Sequence, residues 1–250
     1  MSSVKSSAIV LKSINWRDTS KIVTLFTREE GKMSVIAKGA RQSKSKYQGI
    51  LESINLLEVV IYMSTTRKLQ ILGQATLEDT HQKIRADFEK TGYTFALLEL
   101  TDLFFKEGSV DTVFFDFLEA LLSEIGKITD PRIVFWYFLL KLSSYLGFRP
   151  EFNICTTCNR SIASEEVGFS VREGAIICNN CGSSADSRWM LSASARKSLS
   201  DLQKLNHKRL SSVSISLDNR FAFTDFLLTY LRFHSDEKLE LSSLKLFKCF

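Results

Sequence analysis

The chain has 250 residues, 44% of them hydrophobic, with three histidines, five cysteines and a formal net charge of +5. That length serves one large domain or two to three small ones, and the apolar content is normal for a chain that builds its own cores. The apolar residues come in short blocks, well below the roughly eighteen in a row of a membrane span, and the start MSSVKSSAIVLKS lacks a signal's apolar core and cleavage site, so a cytoplasmic protein with no membrane contact is expected.

The charge is unevenly spread. Residues 1–80 hold 12 Lys or Arg against 7 Asp or Glu, whereas residues 81–250 hold 21 of each. The excess therefore sits in the first third, and within it the stretch KGARQSKSKYQG (Lys38 to Gly49) carries four cations and no acid. A one-sided basic surface suits a phosphate backbone or an acidic tail; Lys-rich turns also serve simply to keep sheet edges soluble.

In chain order, residues 5–80 read as about five strands. SSAIVLKSINW is β-branched, Ser20 to Thr27 turns through Arg28 to Gly31 into Lys32 to Lys38, and SINLLEVVIYMS and KLQILGQATLED follow. So many short strands with no convincing helix between most of them predict a small closed barrel, with a five-stranded OB-fold leading and an SH3-like barrel giving nearly the same pattern. Residues 81–150 switch to three- and four-residue apolar spacing in three helical stretches, HQKIRADFEKTGYTFALLELTDLFFKEG, DTVFFDFLEALLSEIGK and PRIVFWYFLLKLSSYLGF. Asp111 caps the second, Asp130 and Pro131 open the third, and Gly147 closes it. The third is apolar nearly all round, as the central helix of a bundle would be.

Residues 151–187 form a cysteine-bearing insertion. Cys155 and Cys158, then Cys178 and Cys181, make two C-x-x-C pairs at the spacing of a four-cysteine zinc ribbon, with VGFSVREGAIIC as a hairpin between them. Two residues between cysteines let both thiolates of a knuckle reach one ion, and four thiolates leave no position for water. A redox pair would stand beside a βαβ unit and a disulfide framework would need export, and neither condition holds. One structural Zn2+ is expected, with Cys249 as a bystander. Two more helical stretches, LSASARKSLSDLQKLNH and AFTDFLLTYLRFHSDEKL, complete the helical domain over 188–250. The fold class is thus α+β and multidomain: an OB-fold domain over 1–80, a helical bundle over 81–150 and 188–250, and the inserted zinc ribbon.

Catalytic signatures are missing. Phosphate-cradling glycine motifs do not occur, and His81, His207 and His234 sit near predicted helix ends as surface or capping residues. No enzyme is expected.

Three stretches together resemble the RecO family of bacterial recombination mediators: AIVLKSINWRDTSKIVTLFTREEGKMSVIAKGAR, FALLELTDLFF, and FLLKLSSYLGFRPEFNICTTC, in which a leucine-rich helix runs through Gly-Phe-x-Pro into the first knuckle. After Arg41 the chain departs from the family's usual proline and paired glycines, with Gln48 beside the single Gly49. The resemblance implies a protein that binds ssDNA and dsDNA, anneals complementary strands and works with RecR to help RecA load onto strands coated by single-stranded DNA-binding protein (SSB). It also implies a contact with the acidic SSB C-terminal tail on the helical domain; the helix around Trp136, Lys141 and Tyr145 has suitable residue types, but the pocket is left unassigned. A nucleoid-associated location follows. On that reading Lys21, Lys32, Lys38, Arg41, Lys44 and Lys46 track phosphates, with Arg17 and Arg67 as neighbours. Tyr47, in a polar loop, is the first candidate to stack on unpaired bases, while Trp16 and Tyr62 serve equally well as barrel filling. The competing classes are a zinc-ribbon nuclease and an RNA-associated barrel protein.

Overall fold

The computed structural model describes residues 2–182, 189–215 and 217–245, with backbone alone at 217–221. Cys249 and the expected boundary at residue 187 lie outside the described residues. The chain divides into two compact units, one running to Lys127 and regaining the chain from Leu241, the other Ile128–Glu240.

The first unit opens with β1 (Ser2–Trp16), β2 (Ser20–Thr27), β3 (Gly31–Ala37), β4 (Leu56–Met63) and β5 (Gln70–Asp79). They close into a barrel of order β1-β2-β3-β5-β4, antiparallel except where β3 meets β5. A three-strand meander closed by a parallel pair is the OB-type solution, which separates it from the SH3-like alternative. Alternation explains the wall: in β3, Gly31, Met33, Val35 and Ala37 are buried while Lys32, Ser34 and Ile36 point outward. A register shift between Val10 and Lys12 bends β1 so that its first half pairs with β4 and its second with β2. The interior is apolar, with Val10, Val23, Leu25, Val35, Leu57, Val59 and Ile61 fully buried.

The β2–β3 turn needs its glycine. Gly31 has φ +70°, and a Cβ there would stand 2.1 Å from the Ser109 carbonyl oxygen. Bidentate pairing of Arg28 with Asp116 (2.7 and 3.0 Å) fixes the same turn to the helices that follow.

Those helices are α1 (Gln82–Arg85), α2 (Phe88–Phe104) and α3 (Thr112–Lys127). The stretch expected as one helix from residue 81 is broken: Asp87 takes extended backbone and accepts from the Lys90 N–H at 3.0 Å, so it starts a new helix where apolar spacing showed no gap. Asp111 does cap α3, accepting from the Phe114 N–H at 2.7 Å. The short α7 (Ser242–Lys245) returns to this unit, where Ser243 donates to the half-buried Glu99 carboxylate. The helical block expected over 81–150 and 188–250 is therefore shared between the two units.

The second unit is built on α4 (Pro131–Tyr145), buried on nearly every face as its composition predicts. Strands β6 (Glu151–Cys155), β7 (Val167–Ser170), β8 (Ala175–Ile177) and β9 (Trp189–Leu191) form a sheet of order β6-β8-β7-β9. The expected hairpin is β7–β8, and β6 and β9 extend it on either side. Helices α5 (Ala193–Lys204) and α6 (Leu217–Ser235) complete the unit. Phe152 and Phe169 pack against Phe226 of α6, which seats the sheet on that helix.

Candidate metal centre and nucleic-acid surface

The four cysteines converge. Each knuckle is a reverse turn after a strand: the Asn159 N–H returns to the Cys155 carbonyl at 3.0 Å, and the Cys181 N–H to the Cys178 carbonyl at 2.9 Å. Asn159 takes φ 57°, a left-handed conformation that asparagine tolerates better than most residues. β8 then carries the second knuckle beside the first, and all four sulfur atoms lie within 4.8 Å of one another. Cys158 Sγ and Cys178 Sγ are 3.8 Å apart; the edge of a thiolate tetrahedron with metal–sulfur bonds of about 2.3 Å is also about 3.8 Å. The donor set and its spacing fit a closed, four-coordinate ion.

Electrostatics favour thiolates at Cys155 and Cys178, while the neighbouring Cys158 and Cys178 sulfur atoms push Cys181 up to about 12 in the absence of an ion. Burial opposes ionisation of Cys155, but N–H groups of Cys178, Cys158 and Thr157 outweigh it and bring the thiol down to about 6. Cys178 is also lowered, with the Cys181 side chain and the Asn180 amide overcoming its burial.

A residue the sequence reading missed holds the first knuckle in place. Arg196, on α5 and 2% exposed, donates to the carbonyls of Phe152, Ile162, Ala163 and Glu165 at 3.0–3.2 Å. Its position in an amphipathic helix looks like an ordinary surface arginine; only the fold brings four carbonyls around it.

The basic loop caps one end of the barrel. Ala40, Tyr47 and Leu51 belong to the barrel's core cluster, while Lys38, Arg41, Lys44 and Lys46 project outward. Arg41 Nη1 donates to the Arg17 carbonyl at 2.8 Å, and Lys46 Nζ to the Gly73 carbonyl at 2.6 Å. Arg17 and Arg67 are also exposed.

Three expected contacts change meaning. Tyr47 is no stacking residue: it is 4% exposed, and its hydroxyl lies 2.9 Å from the Leu72 carbonyl and 3.0 Å from that of Gly73. A tyrosine in a polar loop turned inward because the loop itself is the barrel's lid. Lys32 is 14% exposed at its side chain and reaches the Asp102 carbonyl and carboxylate, so its charge serves packing. Lys21 is paired with Glu52 at 2.8 Å. On the barrel strands, the aromatic side chains that face outward are Trp16 and Tyr62, at 41% and 44% exposure.

Other expectations also shift. His81 is buried with left-handed backbone and makes no side-chain cap bond. Trp136 is wholly buried, donating to Thr224 Oγ1 at 2.8 Å, and the half-buried Lys141 donates to the Gln203 carbonyl at 2.9 Å. Among the described residues no helix is long and apolar enough to cross a membrane.

Two family models cover the chain, one described as Recombination protein O N terminal over residues 1–81, the other as Recombination protein O C terminal over residues 85–243. Similar proteins include the DNA repair protein RecO of Bacillus pumilus, 31% identical over 85% of this chain and 81% of that protein. That of Shouchella clausii is 28% identical over 90% of this chain and 87% of its own length. That of Chlorobium phaeobacteroides is 35% identical over 64% and 62% respectively.

Proposed function

Because the chain belongs to the RecO family of DNA repair proteins, we propose that it is a non-catalytic DNA-binding mediator of recombinational repair. It binds single- and double-stranded DNA, anneals complementary strands and, with RecR, assists RecA onto SSB-coated strands in the cytoplasm. The observation that carries this reading is the exposed cation set Lys38, Arg41 and Lys44 on the barrel's cap, within a family of DNA repair proteins. Cations on a rigid lid release counterions from phosphates without reading sequence, so affinity falls steeply with salt. The ion at Cys155, Cys158, Cys178 and Cys181 is zinc in this reading, since four thiolates on a soft borderline ion make a closed structural site. Its role is to hold β6 and β8 together.

The test is annealing and binding by the purified protein, with Lys38, Arg41 and Lys44 reversed to glutamate. Loss of strand binding and a flatter salt dependence in a folded variant support the grip; unchanged binding overturns it. Cleavage of labelled strands with magnesium would overturn the non-catalytic reading, and a marked preference for RNA over matched DNA would replace the DNA substrate.

A further inference from the structure

A cavity of about 450 Å³ opens within the second unit, lined by Asn153 of β6, residues 162–164 and the α5 face running from Ala193 to Lys204. That volume lies in the range of small-ligand pockets. One of its lining residues, Arg196, gives the cavity a sign.

A guanidinium has five N–H donors. Nη1 of Arg196 donates to the Phe152 and Ile162 carbonyls and Nη2 to those of Ala163 and Glu165, which uses four. The fifth, at Nε, is buried and meets no acceptor among the described residues. Nor is the charge itself matched. Glu165 offers Arg196 its backbone oxygen, while its carboxylate stands 3.3 Å from the Arg160 guanidinium. A side chain 2% exposed thus carries a full positive charge offset by carbonyl dipoles alone, a costly state that a nearby anion relieves.

Two neighbours have the same sign. Ala193 and Ser194 bring to the cavity the first turn of α5, the positive pole of a twelve-residue helix. Lys197 is exposed and lines the cavity beside Arg196. Further along the face the chemistry changes. Ser200 Oγ accepts from the Asn153 amide at 2.9 Å, which leaves the hydroxyl its own proton to give. At 1.5 Å of rise per residue, Asp201 stands about 6 Å and Lys204 about 10 Å beyond Lys197 along the axis. The Asp201 carboxylate repels a second anion and accepts from hydroxyl groups instead. One end of the cavity is therefore built for a phosphate and the next turn for hydroxyls.

We propose that this cavity binds a small phosphomonoester with free hydroxyl groups, of the nucleoside monophosphate class. Its phosphate lies at Arg196, Lys197 and the α5 terminus, and its hydroxyls at Ser200 and Asp201. A monoester carries a charge of about −1.5 to −2 at neutral pH, more than a backbone diester brings to one point, so it offsets the buried guanidinium better. The site belongs to the second unit and stands apart from the cap cations of the barrel.

The experiment titrates the full chain calorimetrically with adenosine 5′-monophosphate, adenosine and inorganic phosphate, using wild type, Lys197→Glu and Lys204→Glu, each checked for an unchanged melting temperature. The monophosphate and inorganic phosphate should bind, the monophosphate more tightly, and adenosine should not. Lys197→Glu should weaken both anions about tenfold or more, as loss of a charged hydrogen bond does. Lys204→Glu should leave inorganic phosphate within about twofold, because it lies about a Debye length away. No binding of the monophosphate up to about 10 mM would overturn the site. Equal losses in the two variants would also overturn it, reducing the feature to a diffuse basic face. A 5′-phosphorylated oligonucleotide that bound through Lys197 where the monophosphate and a 5′-hydroxyl strand did not would overturn it too, in favour of strand ends.

Discussion

The Tyr230 hydroxyl fills the space above Gly174, where a Cβ would stand 2.6 Å from the oxygen. Gly174 has φ +67°, and the hydroxyl is itself fixed by donating to the Phe148 carbonyl at 2.9 Å. Gly174→Ala therefore meets both left-handed strain and a held oxygen, and should lower the stability of the second unit by about 2–3 kcal/mol. Adding Tyr230→Phe to it should return part of that loss, so a double-mutant cycle by thermal melting should be non-additive. Additive losses would mean that the two residues do not meet.

Arg196→Met keeps the apolar stem but leaves the carbonyls of Phe152, Ile162, Ala163 and Glu165 without their donors. Stability should fall by about 3 kcal/mol or more, because several charge-assisted bonds are lost in a buried setting. Arg196→Lys should rescue little, lacking the planar fork. Urea titration of the three proteins decides it.

Metal removal should act on one unit. Stripping the ion with a chelator should expose the 155–181 segment to protease and free four titratable thiols. Salt-dependent DNA binding should stay near its starting value, since the cap cations lie in the first unit. Parallel loss of both would make the ribbon a DNA contact.

Lys32→Met should separate folding from binding. Lys32 serves Asp102, so the variant should lose about 1–2 kcal/mol of stability while the salt slope of DNA binding stays put. Arg41→Glu should do the reverse.

His81 predicts an acid limb. Burial lowers its pKa from the ordinary 6.5, with the Asp79 carboxylate opposing in part. As pH falls through about 6.5 the unfolded imidazole takes a proton that the folded one refuses, so stability drops from there down to the folded pKa. His81→Asn, which tolerates left-handed backbone, should flatten this limb. Denaturant midpoints measured at about pH 7.5 and 5.5 test it; equal slopes in both proteins would exclude His81.

Periodicity made the barrel strands and the burial of α4 legible, and cysteine spacing made the convergence of Cys155, Cys158, Cys178 and Cys181 so, because these signals are local. Tyr47 was misjudged because a loop's polarity does not say which of its side chains turns inward to close a barrel. The break at Asp87 was hidden because apolar spacing continues across it. The outward row of Ile14, Ile22, Ile36, Ile71 and Tyr62 could not be read at all, because it exists only through the register of four strand pairs.

The barrel is shut where β3 meets β5, and only two residue pairs, Val35 with Gln70 and Ile36 with Ile71, make that seam. So short a seam is the least costly place for the wall to part, exposing two raw strand edges. Ile36 and Ile71 face outward on its two lips. Any ligand that spanned both lips of the seam would hold the barrel shut, so binding and closure would be one linked equilibrium.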